Sequence, residues 1–314
     1  MMRPNSTFSH PVAIYSMKNL TCCPVCESEN IVFKYNGRSN RDAVDPAVWP
    51  VFNCEGCSHG FMNPQPSWDD LQPYYNASYE PYSGDHGFEQ IDRDVAEAKR
   101  SGELRHIKVT PGMRLLDVGC GGGSFLRRAA ALGAAVQGVE PSADGVAAAS
   151  SAEFPVFHGE IDSFIDSHPG AKFEVVTSNH VVEHHPAPVE MLKDMAKVLS
   201  EDGYIWMSVP NAGCKSSQRL DWRWHSSDLP FHLMQFNPDS VREMLSRANL
   251  KIRRIYTYTF PPAGLASMCA ELRYRYCVPR KLTERLPLLS YATRRARRMD
   301  QRMEGEAIIV EATL

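Results

Sequence analysis

The chain has 314 residues, 43% of them hydrophobic and 23% charged, and a formal net charge of −3. These values are typical of a globular protein with a full core, and they argue against binding of nucleic acid through overall positive charge. No apolar run reaches the length of a membrane span or of a secretory signal, so we expect a cytoplasmic protein.

Two pairs of cysteines follow a polar N-terminal stretch. Each pair has the spacing C-x-x-C, which turns two thiolates toward one point, and two such pairs give the four sulfurs that tetrahedral zinc prefers. The predicted ligands are Cys23, Cys26, Cys54 and Cys57. Cys22 and His59 are possible substitutes for Cys23 and Cys57. Four thiolates leave no open position on the ion, so the sequence predicts a structural zinc ribbon.

The sequence divides into four segments. We expect a flexible tail at 1–20, the zinc ribbon at 21–66, a helical connector at 67–104 and a large domain at 105–314. Residues 261–304 of the large domain form an insertion with ten Lys/Arg, against three acidic residues up to Met303. The insertion is interpreted either as solvated helix faces or as a basic surface for an anionic acceptor or membrane surface.

From about residue 110, short apolar runs alternate with helical patterns. "MRLLDVGC", "AAVQGVE", "FPVFHG", "FEVVTSNHVVEH", "GYIWMSVPN", "KIRRIYTYTF" and "EAIIVEATL" are the predicted strands. "APVEMLKDMAKVLSEDG" is amphipathic at helical spacing, and Asn237 followed by Pro238 marks the start of another helix. This alternation predicts an α/β fold with a Rossmann-like, doubly wound sheet.

A glycine-rich turn joins the first of these strands to its helix. Gly119, Gly121 and Gly123 lie there, where side chains would block the approach of a cofactor to the backbone. Glu140 closes the next strand, 140 − 117 = 23 positions after Asp117. This spacing is close to the ~20 residues expected for an acid that binds ribose hydroxyls.

The segments "LDVGCGGG", "VEPS" and "VVEHHPAP" resemble the cofactor motifs of class I S-adenosylmethionine-dependent methyltransferases. The resemblance covers roughly residues 105–314. The N-terminal pattern "CPVC…C-x-x-C…NPQPS…YY…Y" is similar to bacterial members with a zinc ribbon. Those include nucleotide-sugar C-methyltransferases and enzymes of glycan or natural-product pathways. The resemblance implies S-adenosyl-L-methionine as cofactor, with structural Zn²⁺ in the ribbon.

The resemblance also assigns roles in cofactor binding. It implies contacts from Asp117, Gly119, Cys120, Gly121, Gly123, Glu140, Pro141, Glu160, Ile161, Asn179 and His180. In these roles Asp117 orients the methionine end and Glu140 accepts hydrogen bonds from the ribose. Glu160 and Ile161 hold the adenine edge.

The segment "HVVEHHP" begins where the fourth strand ends, which in this fold lies above the methyl group. The candidate catalytic residues are His180, Glu183, His184 and His232. They admit three interpretations: a structural pair of Glu183 and His184, a general base, or a divalent metal site comparable to that of small-RNA 2′-O-methyltransferases. His185 is expected to be exposed. "DWRWH", from Asp221 to His225, is expected to line the acceptor pocket or simply to pack.

We therefore predict a methyltransferase acting on a small molecule or sugar hydroxyl, with an anionic acceptor. One alternative is C-methylation of a nucleotide-linked keto-sugar, which also needs a base. A second is an RNA methyltransferase, although region 21–66 is not basic. A third is a non-catalytic partner subunit that retains the fold.

Overall fold

A computed structural model describes residues 16–39, 47–72, 75, 88–149, 154–283 and 288–314. Its strands are β1 (Met17–Lys18), β2 (Ile31–Gly37), β3 (Trp49–Cys54), β4 (Gly60–Met62), β5 (Gln65–Pro66), β6 (Arg114–Val118), β7 (Ala135–Glu140), β8 (Val156–His158), β9 (Phe173–Asn179), β10 (Leu199–Pro210), β11 (Met234–Gln235), β12 (Lys251–Tyr258) and β13 (Ala307–Thr313). Its helices are α1 (Trp68–Leu71), α2 (Phe88–Ser101), α3 (Ser124–Ala131), α4 (Ala143–Ala149), α5 (Ile161–Ser167), α6 (Pro188–Lys197), α7 (Lys215–Leu220), α8 (Pro238–Arg247), α9 (Pro261–Tyr276), α10 (Arg280–Thr283) and α11 (Leu289–Asp300).

A seven-stranded sheet forms the centre of the large domain, in the order β12-β13-β10-β9-β6-β7-β8. The strands from β10 to β8 are parallel, whereas β13 runs antiparallel to both of its neighbours. Leu115 and Leu116 point to opposite faces of β6 and both are fully buried, because helices cover both faces of the sheet. The predicted doubly wound α/β fold is confirmed.

The chain changes direction across the sheet between β6 and β9. From β6 it proceeds through β7 to β8 on one side, and β9 and β10 then lie on the other side. Loops after β6 and β9 therefore diverge and leave a crevice at their carboxyl ends, where ligands bind in open α/β sheets. Both the glycine turn and the "HVVEHHP" segment begin at this edge.

The cysteine-rich region forms a second sheet of four antiparallel strands, β11-β4-β3-β2. Its fourth strand, β11, comes from the large domain and pairs Met234 with Phe61 and Gln235 with Gly60. Phe61 also belongs to the same buried hydrophobic cluster as Phe231 and Phe236. The ribbon and the large domain thus share a sheet and a core.

Two local expectations differ from the structure. Helix α6 ends at Lys197, earlier than the helical pattern that runs to Gly203, because Leu199 already pairs with Phe173 of β9. Within the expected tail, Met17–Lys18 forms β1 and pairs with β5. Of the tail, residues 1–15 lie outside the described part of the chain, as do Tyr74, Tyr79 and Tyr82 of the connector.

The insertion is helical, as predicted, and is described except for 284–287. Its buried Glu271 accepts charge-assisted hydrogen bonds from Arg219 (2.9 Å) and Arg295 (2.7 Å), so part of its positive charge is neutralised internally. In the described part of the chain, no helix combines the length and the apolar character that crossing a membrane requires.

Candidate active site

The glycine turn after β6 has a backbone that only glycine adopts without strain. Gly119 and Gly121 have φ values of 73° and 53°. A Cβ atom on Gly119 would lie 2.5 Å from Cγ2 of Val181. Beside the turn, the buried Asp117 accepts a hydrogen bond from the Thr177 hydroxyl (2.6 Å), and burial raises the pKa of Asp117 to about 6.

Glu140 lies at the end of β7 and ties the glycine turn to its own strand. Its two carboxylate oxygens accept hydrogen bonds from the backbone N–H groups of Gly121 (2.9 Å) and Ser142 (3.0 Å). Each carboxylate oxygen has two lone pairs and can accept more than one hydrogen bond. The side chain is buried and borders a cavity.

This cavity, of about 460 Å³, lies at the carboxyl edge of the central sheet. Its walls include ten of the residues singled out in the sequence: Asp117, Gly119, Cys120, Gly121, Glu140, Pro141, Asn179, His180, His184 and His232. The structure thus brings most of the sequence-predicted cofactor residues and three candidate catalytic histidines to one cavity.

Three predicted cofactor residues are not part of the cavity wall. Gly123 is the N-cap of α3. Ile161 is buried in the hydrophobic core. Glu160 precedes α5, and its Oε2 lies 3.3 Å from Nε2 of His185, which is partly exposed.

Other cavity residues carried no catalytic signal in the sequence. They are Trp68, Tyr75, Arg105, Ser124, Phe125, Val181, Ser226 and Asp228. Trp68 and Tyr75 come from the connector, for which the sequence predicted only helical structure. Of the segment "DWRWH", His225 lines the cavity, whereas Trp224 is buried in a separate hydrophobic cluster. Among the described residues of the insertion, none lines the cavity.

His180 and Glu183 form a pair directly after β9. His180 has a left-handed backbone (φ 56°), and the single helical turn Val182–His184 places Oε1 of Glu183 3.1 Å from Nδ1 of His180. Glu183 is fully buried, and its Oε2 has no hydrogen-bond partner among the described residues. Burial alone would raise the pKa of Glu183, but the hydrogen bond from His180 and the three neighbouring histidines lower it, so the group stays ionised.

Backbone carbonyls fix the protonation of the other two histidines. Nδ1 of His184 lies 3.0 Å from the carbonyl oxygen of Phe231, and Nδ1 of His232 lies 2.8 Å from that of Ser226. Because a carbonyl only accepts, each Nδ1 carries a proton, and in the neutral form of each ring Nε2 keeps a lone pair. Burial, reinforced by His232, lowers the pKa of His184 to about 4.

Ligand atoms of Glu183, His184 and His232 lie within 4.8 Å of one another. A carboxylate and two neutral imidazoles can bind a divalent transition metal, and the unpartnered Oε2 of Glu183 favours a cation there. His180 is not part of this group. Tyr75 restricts His184 further, because its hydroxyl lies 2.9 Å from Nδ1 of that ring. The general-base and metal interpretations both remain compatible with this geometry.

The four predicted zinc ligands converge at one end of the ribbon sheet, and their sulfur atoms all lie within 4.8 Å of one another. The Sγ atoms of Cys23 and Cys57 are 3.7 Å apart, and those of Cys26 and Cys54 are 3.4 Å apart. Four sulfurs on a tetrahedral zinc with ~2.3 Å bonds are ~3.8 Å apart, so these residues fit the ion. Of the possible substitutes, Cys22 lies outside the group.

His59 does not replace Cys57 either. It is buried away from the group, with Nε2 3.3 Å from Sδ of Met234.

The sheet order and the cavity define a class I methyltransferase fold. The family described as "Methyltransferase domain" matches residues 89–255, more than half of the chain. The chain belongs to this family, so the predicted membership of the methyltransferases is confirmed.

Curated relatives cover a smaller part of the chain. It is 32% identical over 114 residues to a ubiquinone biosynthesis O-methyltransferase of Glaesserella parasuis, covering 33% of this chain and 48% of the relative. It is 34% identical over 128 residues to the protein of that name from Bradyrhizobium sp., covering 40% and 50%. The chain therefore spans about half the length of the curated relatives it matches.

Among solved structures, a SAM dependent methyltransferase from Archaeoglobus fulgidus is 16% identical, with a TM-score of 0.47, 71% of this chain covered and 94% of that chain. This likeness is too loose to carry a conclusion.

Proposed function

We propose that the protein transfers the methyl group of S-adenosylmethionine to a hydroxyl oxygen of a small molecule or sugar. The observation that carries this proposal is the shared cavity: the glycine turn and Glu140 line one part, and His180 with its carboxylate partner lies at the end of β9. The names of the curated relatives, which are O-methyltransferases, favour oxygen as the accepting atom.

The cofactor half of the cavity has suitable chemistry for each part of S-adenosylmethionine. Glu140 would accept hydrogen bonds from the ribose, and the bare backbone of Gly119 and Gly121 permits close approach. Asp117 and Arg105 both line the cavity and would hold the ammonium and carboxylate of the methionine end. When bound, the cofactor supplies an electrophilic methyl group on a positively charged sulfur.

On the acceptor side, His180 is the best-placed base. It donates its Nδ1 proton to Glu183, so Nε2 keeps a lone pair, and the ionised Glu183 stabilises the imidazolium. Nε2 would take the hydroxyl proton as the new O–C bond forms and the C–S bond breaks, leaving S-adenosylhomocysteine. General-base assistance of this kind is worth about 10²–10⁴-fold in rate.

We also propose that the four cysteines hold one structural zinc ion. A filled tetrahedral site offers no position to a substrate, so the ion would stabilise the ribbon and take no part in methyl transfer.

The first experiment is calorimetric titration of the zinc-loaded protein with S-adenosylhomocysteine. We expect micromolar binding by the wild type and loss of binding in Glu140→Ala. An acceptor screen that detects S-adenosylhomocysteine release then compares His180→Gln with His185→Gln, a neighbouring histidine outside the cavity wall. His180→Gln should still bind the cofactor and lose about 10²–10⁴-fold in kcat, and His185→Gln should keep its activity.

Each competing assignment predicts a different result. A folded wild type that binds no S-adenosylhomocysteine would contradict methyl transfer and support a non-catalytic subunit. A new carbon–carbon bond in the product, seen by NMR, would support the keto-sugar alternative. Salt-dependent binding and methylation of RNA would support the RNA alternative.

A further inference from the structure

Three side chains form a hydrogen-bonded chain that the proposed methyl transfer does not use. Oγ of Ser226 lies 2.7 Å from Nδ1 of His225, and Nε2 of His225 lies 3.1 Å from Oε2 of Glu306. Ser226 and His225 line the cavity, whereas Glu306 is buried behind them with 6% of its surface exposed. These hydrogen bonds therefore lead from the cavity into the protein interior.

Glu306, at the buried end of these hydrogen bonds, is held in place by its backbone. Glu306 immediately precedes β13; its backbone N–H donates to the Thr259 hydroxyl (3.1 Å), and its carbonyl accepts from the N–H of Asn211 (2.8 Å). Both partners lie just beyond the ends of neighbouring strands. A fixed carboxylate orients an imidazole and selects its tautomer, as in catalytic triads.

The direction of the hydrogen bonds determines what Ser226 presents to the cavity. Burial raises the pKa of Glu306 to about 7. Above that pH the ionised carboxylate only accepts, so Nε2 of His225 carries the proton and Nδ1 accepts the Ser226 hydroxyl hydrogen. Oγ of Ser226 then has lone pairs left to accept a hydrogen bond from a molecule in the cavity. The carbonyl of Ser226 also accepts from His232 (2.8 Å), which fixes the residue from a second side.

We propose that Ser226 binds a second O–H or N–H group of the acceptor, with His225 and Glu306 as positioning residues that fix the orientation of its hydroxyl. This proposal rests on the proposed function. It narrows the acceptor to small molecules with at least two hydrogen-donating groups, one methylated beside His180 and the other held by Ser226.

The test compares matched acceptors that differ in one group: dihydroxybenzoates with monohydroxybenzoates, and methyl glycosides with their monodeoxy derivatives. We expect the wild type to prefer the member with two donors by about 10- to 100-fold in kcat/KM, the value of one good hydrogen bond. Ser226→Ala should lose this preference through KM, and Glu306→Gln should reduce it. Ser246→Ala, on an exposed position of α8, is the matched control and should keep it.

The affinity for S-adenosylhomocysteine shows whether a negative result concerns Ser226, the acceptor class or the proposed function. All four proteins should bind it equally, because none of the substituted residues is among the proposed cofactor contacts. A preference that survives Ser226→Ala, or a wild type without preference, would overturn the assignment. If the protein binds S-adenosylhomocysteine but methylates neither pair of acceptors, the proposed acceptor class is wrong. If the protein does not bind S-adenosylhomocysteine, the result counts against the proposed function itself.

Discussion

Replacing Gly119 by alanine tests whether the glycine turn packs tightly against the segment that follows β9. The new Cβ would lie 2.5 Å from Cγ2 and 2.6 Å from Cγ1 of Val181, the residue that follows His180. Two costs add: about 1–2 kcal/mol for a left-handed alanine and about 1–3 kcal/mol for overpacking. We therefore expect Gly119→Ala to lower the free energy of unfolding by about 2–5 kcal/mol.

A matched glycine separates the two costs. Gly112 has a similar φ of 79°, but a Cβ there would meet no atom within 4 Å, so Gly112→Ala should cost only the backbone part. Adding Val181→Ala to Gly119→Ala should recover at least about 1 kcal/mol, because it removes the two methyl groups that clash.

Urea denaturation gives the free energies of unfolding of the wild type, Gly119→Ala, Gly112→Ala, Val181→Ala and the double variant. Titration with S-adenosylhomocysteine gives the cofactor affinity. Gly119→Ala should weaken binding by about tenfold or more, and Gly112→Ala should not change it. Equal destabilisation by the two glycine substitutions, or strict additivity with Val181→Ala, would refute the steric argument.

Further predictions concern metal content and pH. Elemental analysis should find one zinc ion per chain in the wild type and none in Cys54→Ser, and chelation of the zinc should lower the melting temperature of the protein. A second divalent ion that is present in the wild type and lost in His232→Ala would favour a metal site at Glu183, His184 and His232 over a general base. Burial raises the pKa of Glu306 from 4.5 to about 7, so its stabilising effect is complete below about pH 4.5 and is lost as the pH rises through 7. Between these limits the wild type should lose up to about 3 kcal/mol of unfolding free energy relative to Glu306→Gln, and parallel pH profiles of the two proteins would contradict this.

The parts of the fold that follow from local pattern were predictable. Strand–turn–helix context identifies the glycine turn, and an acid at the end of the next strand identifies Glu140, because both signals lie within one short stretch of sequence. The end of α6 was not predictable from periodicity, since pairing of Leu199 with β9 overrides a helical pattern that continues past it.

Features that depend on distant residues left no sequence signal. His225 and Glu306 are 81 positions apart and meet only because β13 returns beside β10. Likewise, a two-residue strand such as β11 is too short for alternation to reveal it. The wall of the cavity also departs from the family-based expectation at Ile161, whose side chain belongs to the core.

The pairing of β11 with β4 has a consequence for any attempt to divide the protein. His232 lies two residues before β11, so the proposed acceptor side of the cavity is anchored to a strand whose sheet neighbour, β4, begins three residues after Cys57. A shortened chain that begins after the ribbon would leave β11 as an unpaired edge and Phe231 without part of its packing. The ribbon is therefore part of the structure that shapes the proposed acceptor pocket, and exchanging it between relatives should alter which molecules are methylated.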